Sequence, residues 1–151
     1  MKQEMSVLGI DIAKRVFHAI GMDNTGKIVF RKRLSRHDLL PCMVKLPPVL
    51  IGMEACGGAH HWARLLMAKG FKVKIIPPQF VTPYVKSNKN DAKDAEAICE
   101  AMSRPTMRFI KAKTVEQQDY QATHRIRSEL MSHRTANANQ IRGVVTEYGL
   151  V

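Results

Sequence analysis

The sequence predicts an α/β domain built on a mixed sheet, three antiparallel strands followed by parallel crossovers, with a long helix at its C-terminal end. Three observations carry this. Three strand-length segments follow one another at the start, a strand-helix-strand alternation fills residues 49–76, and from Thr114 no proline or glycine interrupts the chain until Gly143.

The opening segments are Ser6 to Ala13, Val16 to Met22 and Ile28 to Leu34, with Asp23-Asn24-Thr25-Gly26 supplying turn chemistry between the last two. Ser35, with Asp38 three residues on, reads as an N-cap variant opening a short helix that Pro47-Pro48 terminate. Val49 to Glu54 is an apolar run of strand length. Gly57-Gly58 breaks it, and Ala59 to Lys69 carries helical spacing through Trp62, Leu65 and Leu66 up to the cap at Gly70. Lys72 to Ile76 is the next strand, stopped by Pro77-Pro78, and the crossover joining two parallel strands should be right-handed. After a polar stretch from Lys86 to Asn90, a helix is expected from about Asp91 to Ser103. Thr114 and Gln117 then form a capping-box signature for the long helix. Its apolar positions Ala122, Ile126, Leu130, Ile141, Val144 and Tyr148 are sparse and interrupted by charge, so it suits a coiled-coil or dimerisation arm better than a core element. The expected boundaries are 1–112 for the sheet domain and 113–151 for the arm.

Lys and Arg number 24 against 13 Asp and Glu, a formal net charge of +11, which is the footprint of a polyanionic partner. Nucleic acid is the leading candidate. With 6% aromatic residues and a single Trp62, the platform that stacks single-stranded bases is missing, so binding should run through backbone phosphates. No apolar run approaches the roughly 20 residues of a membrane span, and the first residues lack signal-peptide architecture, which leads to the expectation of a soluble, cytoplasmic protein without membrane contact. Cys42, Cys56 and Cys99 form no CxxC pair and read as reduced, small apolar fillers.

Four carboxylates stand out. Asp11 lies inside the apolar Val7-Leu8-Gly9-Ile10-Asp11-Ile12, a costly place for a charge without a partner. Glu54 ends Val49-Leu50-Ile51-Gly52-Met53 in the same way. If the two strands are parallel neighbours, their C-terminal ends lie about 5 Å apart and both carboxylates emerge where α/β sites form. Asp91 and Asp94, three apart at a helix start, share one helical face, although an N-cap with its N3 partner would look the same. Four carboxylates make a hard oxygen site for magnesium or manganese, suited to in-line phosphodiester displacement. Lys86, Lys89 and Lys93 would add a phosphate-attracting rim, with Lys14 near Asp11 and His60 behind Glu54 as further nucleic-acid contacts.

These residues resemble the DEDD-type transposases of the bacterial insertion sequence one-ten group. The matching segments are Gly9-Ile10-Asp11-Ile12-Ala13-Lys14, Met53-Glu54-Ala55-Cys56-Gly57-Gly58 and Asn90-Asp91-Ala92-Lys93-Asp94-Ala95. The resemblance implies a ribonuclease-H-like fold related to Holliday-junction resolvases (RuvC-like), and Asp11, Glu54, Asp91 and Asp94 as the metal-binding, catalytic tetrad. It implies DNA strand cleavage and transfer directed by a structured guide RNA, and a coiled-coil-like helix after the sheet domain, which agrees with the homo-oligomer expected from the pattern of the C-terminal helix. It also implies a further C-terminal domain with an attacking serine. No serine of these 151 residues is assigned that role, so a fragment or separately made domain is expected. Three rivals remain open: an actin-like ATPase, whose expected Gly-Thr is replaced by Ala13-Lys14; a non-catalytic basic nucleic-acid-binding and dimerisation module; and a stand-alone junction-resolving nuclease.

Overall fold

The structure, a computed structural model, describes residues 4–85 and 91–150, at 91 and 92 the backbone alone. The chain divides into two units, Met1–Ala112 and Lys113–Val151.

The first unit is a five-stranded sheet: β1 (Val7–Ile12), β2 (Val16–Met22), β3 (Ile28–Ser35), β4 (Leu50–Glu54) and β5 (Lys72–Ile76), in the order β3-β2-β1-β4-β5. β3, β2 and β1 are antiparallel, while β1, β4 and β5 are parallel. This is the mixed sheet that the sequence predicts, three antiparallel strands followed by parallel ones. The β2–β3 turn follows its chemistry: the Asp23 carboxylate accepts from the Thr25 and Lys27 amides at 2.8 and 3.0 Å, and Gly26 takes a left-handed φ of 82°. The hydroxyl of Thr25 is the largest of the influences that hold the Asp23 pKa below its ordinary value.

Five helices lie among the described residues: α1 (Leu39–Val44), α2 (Ala59–Ala68), α3 (Pro78–Val81), α4 (Asp91–Met102) and α5 (Val115–Thr146). Two differ from expectation. α1 opens later than Ser35, with Asp38 at the N-cap and the Ser35 hydroxyl donating to the Asp38 carboxylate. Pro77-Pro78 does not simply stop the chain, because Pro78 starts α3, where a proline's fixed φ suits the first helical turn. Residues Thr82–Tyr84 continue as a 3-10 turn, and Ile110 adds a bridge to Ile75 on the outer edge of β5.

Side chains alternate across a sheet, so each strand feeds two cores. One face carries Leu8, Ile10, Phe17, Ala19, Ile51, Met53 and Ile75, covered by Leu39, Cys42 and Met43 of α1 and Trp62, Ala63 and Leu66 of α2. α4 lies on the other face, its Ala95, Cys99, Ile98 and Met102 meeting Val7, Ile20, Met22 and Ile76. Two glycines allow this approach. A Cβ at Gly9 would run into the Ala95 carbonyl oxygen and come 2.8 Å from the Cys99 sulfur, and one at Gly52 would lie 2.6 Å from Met102 Cγ.

In the second unit, α5 begins with a complete capping box: the Gln117 amide donates to Thr114 Oγ1 and the Thr114 amide to Gln117 Oε1, both at 3.1 Å. None of its residues is buried, and Val115, Tyr120, Ile126, Leu130, Ile141 and Val144 are exposed. Gly143 lies within the helix rather than ending it.

Candidate functional site

β1 and β4 pair with Val7 opposite Leu50 and Ile10 opposite Met53, and the same offset brings Asp11 level with Glu54. Both lie on the α4 face, two residues beyond Gly9 and Gly52 respectively. Both are half-buried, at the C-terminal ends of adjoining parallel strands.

α4 brings the other acids to the same end. A cavity of about 490 Å³ is lined by Val7 and Leu50, which open β1 and β4, and by Met102 and Ser103, which close the helix. The helix therefore runs antiparallel to these strands, with its first turn toward Asp11 and Glu54. From the Ala95 carbonyl above Gly9, position 91 is about 6 Å back along the helix, and Asp11 is about 6.6 Å on along the strand. Helical spacing puts positions 91 and 94 on the same stripe as Ala95, Ile98 and Met102, which pack on the sheet. Asp94 is half-buried. The Asp91 side chain lies outside the described residues.

Among the described residues, no three His, Cys, Asp or Glu side chains are grouped so as to hold an ion, a comparison that does not include the Asp91 side chain. Asp11 and Glu54 nevertheless act together on one neighbour. The Cys56 thiol, 3.6 Å from the Ile12 carbonyl oxygen, has its pKa pushed up first by loss of hydration, then by the charge of Asp11, then by that of Glu54. Carboxylate oxygens gathered on one face at two hydrogen-bonded strand ends suit magnesium or manganese rather than zinc. Cys56 is exposed, which corrects its reading as an apolar filler; Cys42 and Cys99 are buried as expected.

Lys14 is exposed in the β1–β2 turn, immediately after the Asp11 strand. His60 is half-buried in the first turn of α2, a helix that covers the opposite face, and its neighbour His61 sits edge-on to Trp62 at 5.5 Å. Lys93 is half-buried near the start of α4, and Lys86 and Lys89 lie outside the described residues. The sequence reading passed over two residues of the same row. Asp11 is paired with His18 on β2, and His18 with Arg33 on β3. Alternation in β2 and β3 carried the signal, but only with a hairpin register to align it.

No helix among the described residues is long and apolar enough to cross a membrane. A solved chain described as "T. thermophilus RuvC in complex with Holliday junction substrate" is similar at 13% identity and a TM-score of 0.40, over 65% of this chain and 92% of that one. A protein of Pseudomonas aeruginosa described as "Probable family 20 transposase" is 50% identical over 147 residues, 97% of this chain and 44% of the relative. The "Transposase for insertion sequence element IS1111A" of Coxiella burnetii is 50% identical over 148 residues, 98% of this chain and 41% of the relative. The chain thus spans less than half the length of these curated relatives. The profile of the DEDD transposases of IS110 elements, described as "Transposase", matches residues 8–150, and the chain belongs to that family.

Proposed function

We propose that this chain is the metal-binding catalytic part of a transposase that cuts and transfers DNA strands, guided by a structured RNA in the full-length protein. The observation that carries this is the meeting of Asp11 and Glu54 on one face of the sheet, at the end toward which α4 directs Asp91 and Asp94. Asp11, Glu54, Asp91 and Asp94 would hold magnesium or manganese. When bound, such ions supply positive charge that activates the attacking oxygen and stabilises the leaving one in an in-line displacement.

The chain's own residues have three tasks. The sheet fixes the Asp11 and Glu54 backbones through a hydrogen-bonded ladder, so the donors are preorganised and lose little freedom when they engage. Lys14 and Lys93, with His60 and, by their place in the sequence alone, Lys86 and Lys89, would bind and orient flanking phosphates, for which a net charge of +11 is suited. The exposed apolar positions of α5 support a third role, self-association through the helix.

Calorimetric titration of the chain with manganese tests the central claim. Wild type should bind and Asp11→Asn should bind more weakly. Equal heats from both, or none from either, would leave a non-catalytic nucleic-acid-binding module as the better description.

A further inference from the structure

We propose that Arg31 and Arg33 of β3 form a phosphate-binding rail that continues the carboxylate site across the sheet and holds a nucleic-acid strand beside the reacting phosphate. This rests on the function proposed above and adds to it the path that the backbone takes.

The register places the rail. Asp11 pairs with His18, His18 with Arg33, and Ile20 with Arg31. Paired residues project from the same face, so Arg33, His18, Asp11 and Glu54 form one row across four strands at the end of the sheet. Its member on the outer strand β3 is a cation, and its members on β1 and β4 are anions. Strands lie about 4.8 Å apart, so Arg33 stands roughly 10 Å from Asp11, a separation that suits a flanking phosphate rather than the reacting one. His18, between them, offers an imidazole that can donate to a carboxylate or phosphate oxygen.

Arg31 lies two residues from Arg33, about 6.6 Å along the same strand and face. α4 covers β1, β2 and β4, and both arginines on β3 are exposed. Guanidinium groups bind phosphate in a bidentate fashion, and two at fixed spacing on an extended strand track a polyanion better than mobile side chains do. The intervening Lys32 projects from the opposite face, with its Nζ 3.5 Å from the Cys42 sulfur. Charge alone therefore does not define the rail; the face does.

That difference supplies the test. The affinity of the whole chain for a fluorescent DNA duplex is measured against salt, without divalent metal, for wild type, Arg31→Ala, Arg33→Ala and Lys32→Ala. Each arginine variant should lose about three- to tenfold in affinity and about 0.9 from the slope of log affinity against log salt. Lys32→Ala removes the same charge and should leave the slope unchanged. If Lys32→Ala matches Arg33→Ala, the edge acts only as diffuse charge and the rail is overturned. Arginine variants that bind like wild type overturn it as well, while leaving manganese binding at Asp11 intact. Wild type that binds no duplex overturns both this inference and the proposed function. Should Arg33→Ala fail to melt cooperatively, Arg33→Gln serves in its place with the same two outcomes.

Discussion

The amide of Gly9 donates to the sulfur of Cys99 at 3.0 Å, and the Cys99 thiol donates in turn to the carbonyl of Ile20 at 3.0 Å. One buried thiol thus ties α4 to β1 and β2, two residues before Asp11. The position of the acidic first turn of α4 depends on this seam, because the helix is a rigid lever about its contact with Gly9.

Gly9→Ala should therefore be destabilising out of proportion to its size. The added methyl meets backbone, which cannot swing away, so α4 must lift. Overpacking of this kind costs about 1–3 kcal/mol, so the melting temperature should fall by at least about 4 °C. Calorimetry checks it, and an unchanged melting temperature would place α4 farther from β1.

Burial pushes the Cys99 thiol up to about 12, against a smaller lowering by the Gly9 amide. The folded pKa is raised, so the stability linked to Cys99 is whole below the ordinary thiol value of 9.0 and is lost as pH rises toward 12. Over that window unfolding free energy should fall by up to about 1.4 kcal/mol per pH unit from this group. Denaturant titrations of wild type and Cys99→Ala, from about pH 9 to about pH 10, should show a shallower decline in the variant. Parallel declines would remove Cys99 as the cause.

Cys56 reports on the carboxylates. Because Asp11 and Glu54 both raise its pKa, neutralising either releases thiolate at fixed pH. Asp11→Asn and Glu54→Gln should each speed alkylation of Cys56 about two- to threefold near pH 8. Mass spectrometry separates this from Cys42 and Cys99, which are buried. A slower reaction in both variants would contradict the arrangement.

Close anions should make the metal-free site strained and the metal-loaded protein more stable. Magnesium at a hundred times its Kd should add about 2.7 kcal/mol to wild type. Asp11→Asn should match or exceed wild type without metal and gain less with it. Thermal melts decide: an Asp11 that only anchors a loop would lose stability in both conditions when replaced.

Exposed Ile126, Leu130, Ile141 and Val144 recur at helical spacing on α5. Leu130→Glu should lower the self-association measured by sedimentation, while helix content holds because Glu is a good helix former. Identical sedimentation of both proteins would assign α5 another partner.

Much of this was legible in the sequence. β5 falls where the run from Lys72 to Ile76 puts it, and α2 begins at Ala59 as its spacing requires. The exceptions share a cause. Pro77-Pro78 ends one element and starts the next, and local propensity cannot tell a stop from a first turn. Ser35 and Asp38 are both good caps, and tertiary packing of Leu39 chose between them. The alignment of His18 and Arg33 with Asp11 depends on strand register, which no single segment encodes, and the exposure of Cys56 depends on the packing around the strand ends.

β3 is also the outer strand of the sheet, with one row of backbone groups unpaired by any neighbouring strand among those described. Such an edge invites another chain to add to it, and charged side chains are what discourage that. Arg31, Lys32 and Arg33 sit exposed along it, next to Ile28, Val29 and Phe30. The cations proposed to grip phosphate therefore also discourage another chain from pairing with this edge. Neutralising all three together would create an adhesive edge, so a loss of DNA binding in that triple variant would be confounded with aggregation.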